Sequence, residues 1–344
     1  MSLYSLLRPL VFRLDAERAH GLAIAGLKRL PVAATPQPFD PVLASRVAGI
    51  EFGSPVGLAA GFDKDAEVFG PLLGLGWGFV EVGTITPLPQ PGNLRPRSFR
   101  LAEDRAAINR FGFNSRGQAD ALLRVAGPRS GLLGINLGAN KDSIDRIGDY
   151  ALGVVAMSPN ADYLTINISS PNTPGLRQLQ DEAALRDLLA AVRSARGTAG
   201  PPIFLKVAPD QGEGEPGQIV RAAIDHGIDA LIVGNTTVSR PELRSRHAGE
   251  SGGLSGAPLK PLALDTLRRF RAETGGQLPL VGVGGIGSAA DAWERIAAGA
   301  DLVQIYTAMI YEGPGIGRRI ADGLAERCRQ AGFASIAEAV GSAA

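Results

Sequence analysis

The sequence predicts an α/β chain of 344 residues that closes into a (β/α)8 TIM barrel behind an N-terminal helical hairpin. Eight short runs rich in β-branched residues carry this reading, because each is followed by a polar or glycine-rich turn and then a helical pattern. The unbroken series of eight favours a closed barrel over an open doubly wound sheet. Three connections are long, which marks one rim as the functional face.

In order, residues 1 to 38 come first. Leu3, Leu6, Leu7, Leu10 and Leu14 fall at helical spacing. A second helix starts after Asp15 as N-cap, carries Leu22, Ile24, Ala25 and Leu27, and is stopped by Pro31. Arg8, Arg13, Arg18, Lys28 and Arg29 outnumber Asp15 and Glu17, so an apolar stripe is flanked by positive charge, as in helices that lie on anionic membranes; the alternative is a hairpin that only caps the barrel. The Pro-rich segment from Thr35 to Pro41 reads as a linker. The division expected is 1–38 as membrane and tunnel hairpin and 39–344 as barrel.

The eight runs are Val56–Ala59, Phe79–Val82, Leu132–Leu137, Tyr163–Ile168, Ile203–Val207, Ala230–Val233, Leu280–Val283 and Leu302–Ile305. Helical patterns such as 181–195 and 288–298 separate them. The long connections are 85–106, 169–180 and 234–259. With 35 basic and 34 acidic residues the chain has no global field to gather nucleic acid. A lone cysteine, Cys328, excludes an intrachain disulfide and any CxxC motif. The most apolar stretch, Val68 to Val80, is broken by Pro71 and glycines, so no membrane span is expected, and neither is export.

In this fold chemistry belongs at the C-terminal ends of the strands. Those ends carry Ala60-Gly61-Phe62-Asp63-Lys64, Thr84, Asn136, Asn167, Lys206, and Asn235-Thr236. A lone buried Asn reads as a turn or cap residue, but three of them closing strands imply a ligand rich in donors and acceptors. Lys206, preceded by Ile203-Phe204-Leu205, is placed at the mouth, where a cation stabilises negative charge developing on a ring. The literal GxGxxG at Gly282 to Gly287 is not a dinucleotide fingerprint, because it sits at the seventh strand and the next strand ends in Tyr306-Thr307, without an acid for a ribose. Glycines after strands seven and eight instead form a phosphate site of amides and a helix N-terminus.

The loop Ser169-Ser170-Pro171-Asn172-Thr173 offers a serine that is a nucleophile, a base or a turn residue. The three histidines, His20, His226 and His247, lie near no GxSxG elbow, so a Ser-His-Asp hydrolase has little support. Metal-ligand spacings are missing as well, which leaves an organic cofactor to supply the chemistry.

Over essentially its whole length the chain resembles the class 2 dihydroorotate dehydrogenases, the quinone-dependent, membrane-associated branch. The resemblance rests on Leu58-Ala59-Ala60-Gly61-Phe62-Asp63-Lys64-Asp65, Val82-Gly83-Thr84-Ile85-Thr86-Pro87, Asn109-Arg110-Phe111-Gly112-Phe113-Asn114, Gly134-Ile135-Asn136, Thr165 to Thr173, Gly253-Leu254-Ser255-Gly256 and Gly282-Val283-Gly284-Gly285-Ile286. It implies FMN held at Ala60, Gly61, Phe62, Asp63, Lys64, Thr84, Asn136, Asn167, Lys206 and Gly234, with its phosphate at Gly256, Gly285, Tyr306 and Thr307. It implies a dihydroorotate site from Lys64, Asn109, Arg110, Phe111, Gly112, Phe113, Asn167, Asn172, Asn235 and Thr236. Ser170 is then the base that takes the C5 proton, with Thr173 and water under Phe113 as relay; a serine here, where soluble relatives carry cysteine, is the class 2 marker. His20, Arg100 and Tyr306 correspond to a site for ubiquinone or menaquinone. Phe62 and Phe111 stand where relatives often carry smaller or more flexible residues. The implied setting is a monomer, peripheral on the cytoplasmic side of a bacterial inner membrane. The rivals are a soluble flavin barrel using fumarate or NAD, and a flavin-free phosphate-binding isomerase or lyase.

Overall fold

The computed structural model describes residues 3–30, 38–127 and 129–344. The expected stop at Pro31 and the linker as far as residue 37 lie outside the described residues. Thirteen described strands run β1 Ser45–Val47, β2 Ile50–Phe52, β3 Val56–Leu58, β4 Phe79–Ile85, β5 Ser98–Leu101, β6 Ala106–Asn109, β7 Leu132–Leu137, β8 Tyr163–Asn167, β9 Ile203–Val207, β10 Ala230–Val233, β11 Gly253–Gly256, β12 Leu280–Val283 and β13 Leu302–Ile305. Helices are α1 Leu3–Val11, α2 Ala16–Leu27, α3 Phe69–Gly74, α4 Gln118–Val125, α5 Arg146–Met157, α6 Glu182–Arg196, α7 Glu215–Asp225, α8 Lys260–Thr274, α9 Ala289–Ala297, α10 Thr307–Glu312 and α11 Ile316–Gln330.

The eight runs expected from the sequence are the barrel, closed in the order β10-β12-β13-β3-β4-β7-β8-β9 with every pairing parallel. Period-2 alternation sorts each strand into two faces. Val80 and Val82 of β4 point out to the helical layer, while Phe79 and Glu81 point in. Likewise Tyr163, Thr165 and Asn167 of β8, and Phe204 and Lys206 of β9, fill the interior. The lower interior is aromatic: Tyr163 and Phe204 stack at 4.4 Å, and Phe79 meets Phe52 of the β1–β2 hairpin edge-on at 5.2 Å, so the hairpin plugs that end. Gly134 leaves the space for Tyr163, because a Cβ there would sit 2.1 Å from its Cζ.

The long connections are not plain loops. β5 and β6, in the connection after β4, pair antiparallel, and β6 pairs with β11 from the connection after β10, making a three-stranded sheet over one side of the mouth. The sequence reading had no strands there.

The N-terminal hairpin is present. Asp15 caps α2, accepting from the amides of Glu17 and Arg18 at 3.0 Å each. Glu17 docks it, paired with Arg95 at 3.0 Å and with buried Arg97 at 2.8 Å. Tyr4 Oη donates to the Ile310 carbonyl at 2.5 Å, and Arg8 to that of Tyr311 at 3.0 Å. Leu6, Leu7, Leu10, Leu14, Leu22 and Leu30 remain exposed. No described helix is long and apolar enough to cross a membrane.

Candidate active site at the barrel mouth

The C-terminal rim encloses a groove in two joined parts. The larger, of about 330 Å³, runs from Ala60 and Lys206 past Tyr306 to Gly256, Gly285 and Thr307. The smaller, of about 130 Å³, is walled by Lys64, Asn109, Phe113, Ser170, Asn172 and Thr236. Ala60, Asn109, Phe111, Lys206, Asn235, Thr236 and Tyr306 border both, which makes the parts continuous.

At the far end of the larger part the chain after β12 turns at Gly285, φ +72°; a Cβ there would lie 2.5 Å from Lys260 Cα. Thr307 Oγ1 donates to Ser255 Oγ at 2.8 Å. The first turn of α9 is already capped by Ser288, and the Asp291 carboxylate accepts from the Gly287 amide at 3.0 Å and from Lys260 at 2.5 Å. The α9 terminus is therefore partly consumed, and Lys260 is paired with Asp291 and with Glu294 at 3.3 Å.

Beneath the junction lies a polar floor. Thr84 Oγ1 donates to Asn136 Oδ1 at 2.6 Å, and Asn167 Nδ2 donates to Thr84 Oγ1 and Asn136 Oδ1, both at 3.1 Å. Ser169 Oγ donates to Asn167 Oδ1 at 2.8 Å and accepts from Asn235 Nδ2 at 2.7 Å. Lys206 is buried among them, and burial lowers its pKa while Glu81 opposes that shift.

In the smaller part Lys64 Nζ sits 3.1 Å from the centroid of Phe111 and donates to Asn114 Oδ1 at 2.9 Å. Burial, then repulsion from Arg97, brings its pKa down to about 7, against pulls from Glu17 and Asp65. Asn172 Nδ2 donates to Asn109 Oδ1 at 3.3 Å. Ser170 is buried and accepts the Asn172 amide at 3.3 Å, while the buried Thr173 and Thr236 hydroxyls have no partner among the described residues. Thr236 borders the groove and Thr173 does not, so it is the Thr236 hydroxyl that a bound polar ligand can satisfy.

Other expected residues are used differently. Phe62 and Asp63 do not line the groove: the Asp63 carboxylate, pushed up to about 6 chiefly by burial, accepts from the amides of Glu67 and Val68 at 2.7 and 2.8 Å. Asn136 belongs to the floor network but does not line the groove, and Gly234 packs on the Val283 backbone. Arg110 points away to Glu250 at 2.8 Å. His20 stacks edge-on against Phe62 at 5.1 Å, and Phe62 against Tyr306 at 6.0 Å, an aromatic file from α2 to the groove. Arg100 holds the end of α1, donating to the carbonyls of Val11 at 3.2 Å, Phe12 and Leu14. His226 closes α7, with Nδ1 2.9 Å from the Ala222 carbonyl, and His247 lies on Phe99.

Sequence reasoning missed Glu81, Ser169 and Gln304, which are buried in this network. An acid between Phe79, Val80 and Val82 was the available signal for the first.

A barrel mouth with a two-part groove, a buried lysine and an amide-rich chamber is the arrangement of an enzyme acting on a small polar molecule. The family model described as dihydroorotate dehydrogenase matches residues 42–328. A "Dihydroorotate dehydrogenase (quinone)" of Erythrobacter litoralis is 61% identical over 342 residues, covering 99% of each chain. One of Novosphingobium aromaticivorans is 58% identical, covering 99% of this chain and 100% of that one. The solved Eimeria tenella enzyme in complex with ferulenol superposes with a TM-score of 0.91 at 41% identity, covering 96% of both chains. The chain belongs to the dihydroorotate dehydrogenase family, whose members are flavin-dependent enzymes.

Proposed function

We propose that this chain oxidises (S)-dihydroorotate to orotate in pyrimidine biosynthesis, with FMN as hydride acceptor and a membrane quinone as final acceptor. The observation that carries it is the joined groove, whose amide-lined chamber meets the cofactor-sized part at Lys206 and Asn235. The quinone-dependent names of relatives up to 61% identical favour quinone over fumarate or NAD.

FMN, when bound, supplies the two-electron oxidant. The residues that would hold it are Ala60, Gly61, Thr84, Asn167 and Lys206 along the ring and Gly256, Gly285, Tyr306 and Thr307 at the phosphate, and all of them border the groove. Lys64 meets the substrate carboxylate, and Asn109, Asn172, Asn235 and Thr236 pair with the ring's imide and carbonyls. Ser170 Oγ takes the C5 proton as the C6 hydride leaves, so C5=C6 forms and electrons balance. Thr173, whose hydroxyl is orphaned, passes the proton on through water under Phe113. A serine is a weak base at neutral pH, and the Lys64 cation together with the chamber's amides stabilises the developing enolate.

Residues 1–38 form the acceptor unit. The outward leucines of α1 and α2 rest on the bilayer, with His20, Phe62 and Tyr306 along the quinone path and Arg100 beside it. The placement is peripheral on the cytoplasmic face of a bacterial inner membrane, and the enzyme acts as a monomer. With dihydroorotate, purified holoenzyme should reduce a quinone analogue in preference to fumarate or NAD. Fumarate as the better acceptor would overturn the quinone assignment.

A further inference from the structure

Glu81 borders neither part of the groove, yet every hydrogen bond of the floor leads to it. Its Oε1 accepts from Asn136 Nδ2 at 2.8 Å, and its Oε2 accepts from Gln304 Nε2 at 2.7 Å and from the hydroxyls of Tyr163 and Thr165 at 3.1 Å each. Four donors converge on one fully buried carboxylate.

An asparagine amide rotated by half a turn exchanges its donor and acceptor ends with little change in shape, so its orientation is set by neighbours. The backbone amides of Ser169 and Thr236 are fixed donors at Asn167 and Asn235, while the side-chain neighbours here are mostly amides and hydroxyls that work either way. A carboxylate is not: it only accepts. Asn136 must therefore aim Nδ2 at Glu81 and Oδ1 at the floor. That oxygen takes the hydroxyl proton of Thr84 and a proton of Asn167 Nδ2. Asn167 Oδ1 is left for the Ser169 hydroxyl, and for the Ser169 backbone amide at 3.3 Å, which holds it the same way; the hydroxyl's lone pair then faces Asn235 Nδ2. Asn235 Oδ1 closes on the Thr236 amide at 2.8 Å.

We infer that Glu81 is a positioning residue, the terminal acceptor of a one-way hydrogen-bond chain running Asn235 to Ser169 to Asn167 to Asn136 to Glu81. Because each link points the same way, Thr84 turns its proton from the groove and offers a lone pair to a ligand N–H. Asn235 keeps one amide N–H for a ligand acceptor. The Thr236 backbone amide holds Asn235 in place, so reversal of Asn136 would present the opposite pattern at Thr84. Glu81 also acts on Lys206, holding toward the charged form an ammonium that burial disfavours.

The inference rests on the flavin and dihydroorotate placement proposed above, and reduction of bound flavin by dihydroorotate in the wild-type holoenzyme tests that placement separately. Two full-length variants test the chain by anaerobic stopped-flow. Glu81→Gln keeps the shape but has an amide that presents either end to Asn136, and Gln304 Oε1, without a partner among the described residues, can accept from it, so the fold has a satisfied alternative. It should retain FMN while its limiting flavin-reduction rate falls about tenfold, the effect of one misoriented buried polar contact. Ser169→Ala cuts the chain between Asn167 and Asn235 and should raise the dihydroorotate Kd about tenfold, with the limiting rate changed less than about threefold. If Glu81→Gln fails to fold, Glu81→Asp, which stays acceptor-only but is one methylene shorter, takes its place in the rate measurement, with the same outcomes expected. A Glu81→Gln rate within about twofold of wild type, or an unchanged Kd in Ser169→Ala, overturns the inference.

Discussion

Lys64, if it meets the substrate carboxylate as proposed, should make substrate affinity depend on pH. Its pKa of about 7, set first by burial and then by Arg97, leaves it half neutral in the ligand-free protein near neutrality. A carboxylate ligand binds the charged form, so association above pH 7 takes up a proton. The apparent Kd then scales as one plus ten to the power of pH minus pKa, which between pH 6.5 and 8.5 is an increase of about 25-fold, or about 1.9 kcal/mol. Orotate titration of oxidised holoenzyme, followed by the flavin absorbance, measures it. Lys64→Gln should bind orotate more weakly at pH 6.5 and lose the slope. A flat profile in wild type, or an unchanged slope in the variant, would refute the argument that burial has brought this lysine into the neutral range.

Ser170→Ala should retain FMN and lower the rate of flavin reduction by dihydroorotate by about 10²- to 10⁴-fold, the usual worth of a positioned base, and normal reduction kinetics would remove Ser170 from that role. Gly285→Ala puts a Cβ 2.5 Å from the Lys260 backbone at φ +72°, so the phosphate end must shift, and FMN content after gel filtration should drop while the fold persists by circular dichroism. His20, whose pKa burial lowers to about 4, is neutral in the folded protein where the unfolded chain binds a proton, so stability falls as pH drops from about 6.5 to 4, by up to about 3 kcal/mol. Urea unfolding of wild type against His20→Gln across that range isolates the term, because the opposite contribution of Asp63, raised to about 6, is common to both.

All eight barrel strands were legible because a strand buried on both faces is a continuous β-branched run, and the structure moves their ends by at most a few residues. The mouth residues were legible because polar side chains at strand ends break those runs. β11 was not: Gly253-Leu254-Ser255-Gly256 has the composition of a turn, and it becomes a strand only by pairing with β6, far away in sequence. Glu81 was opaque for a related reason. In a linear chain an acid at an alternating position reads as the solvated face, and only closure of the barrel makes that face the interior. The Asp63 carboxylate, read with the groove, serves its own loop, a local turn that spacing alone does not distinguish from ligand contact.

The small sheet of β5, β6 and β11 bears on how such enzymes can be remodelled. It joins the connection after β4, which carries Asn109, to the connection after β10, which leads into Gly256. Tyr311 of α10 fastens the end where β5 turns into β6, through the carbonyls of Leu101 and Ala106. Segments that a barrel would ordinarily let diverge one at a time are thus knitted edge to edge. Neither can be grafted from a relative without the other, and a chimera that exchanges both should keep its substrate and cofactor rims in register.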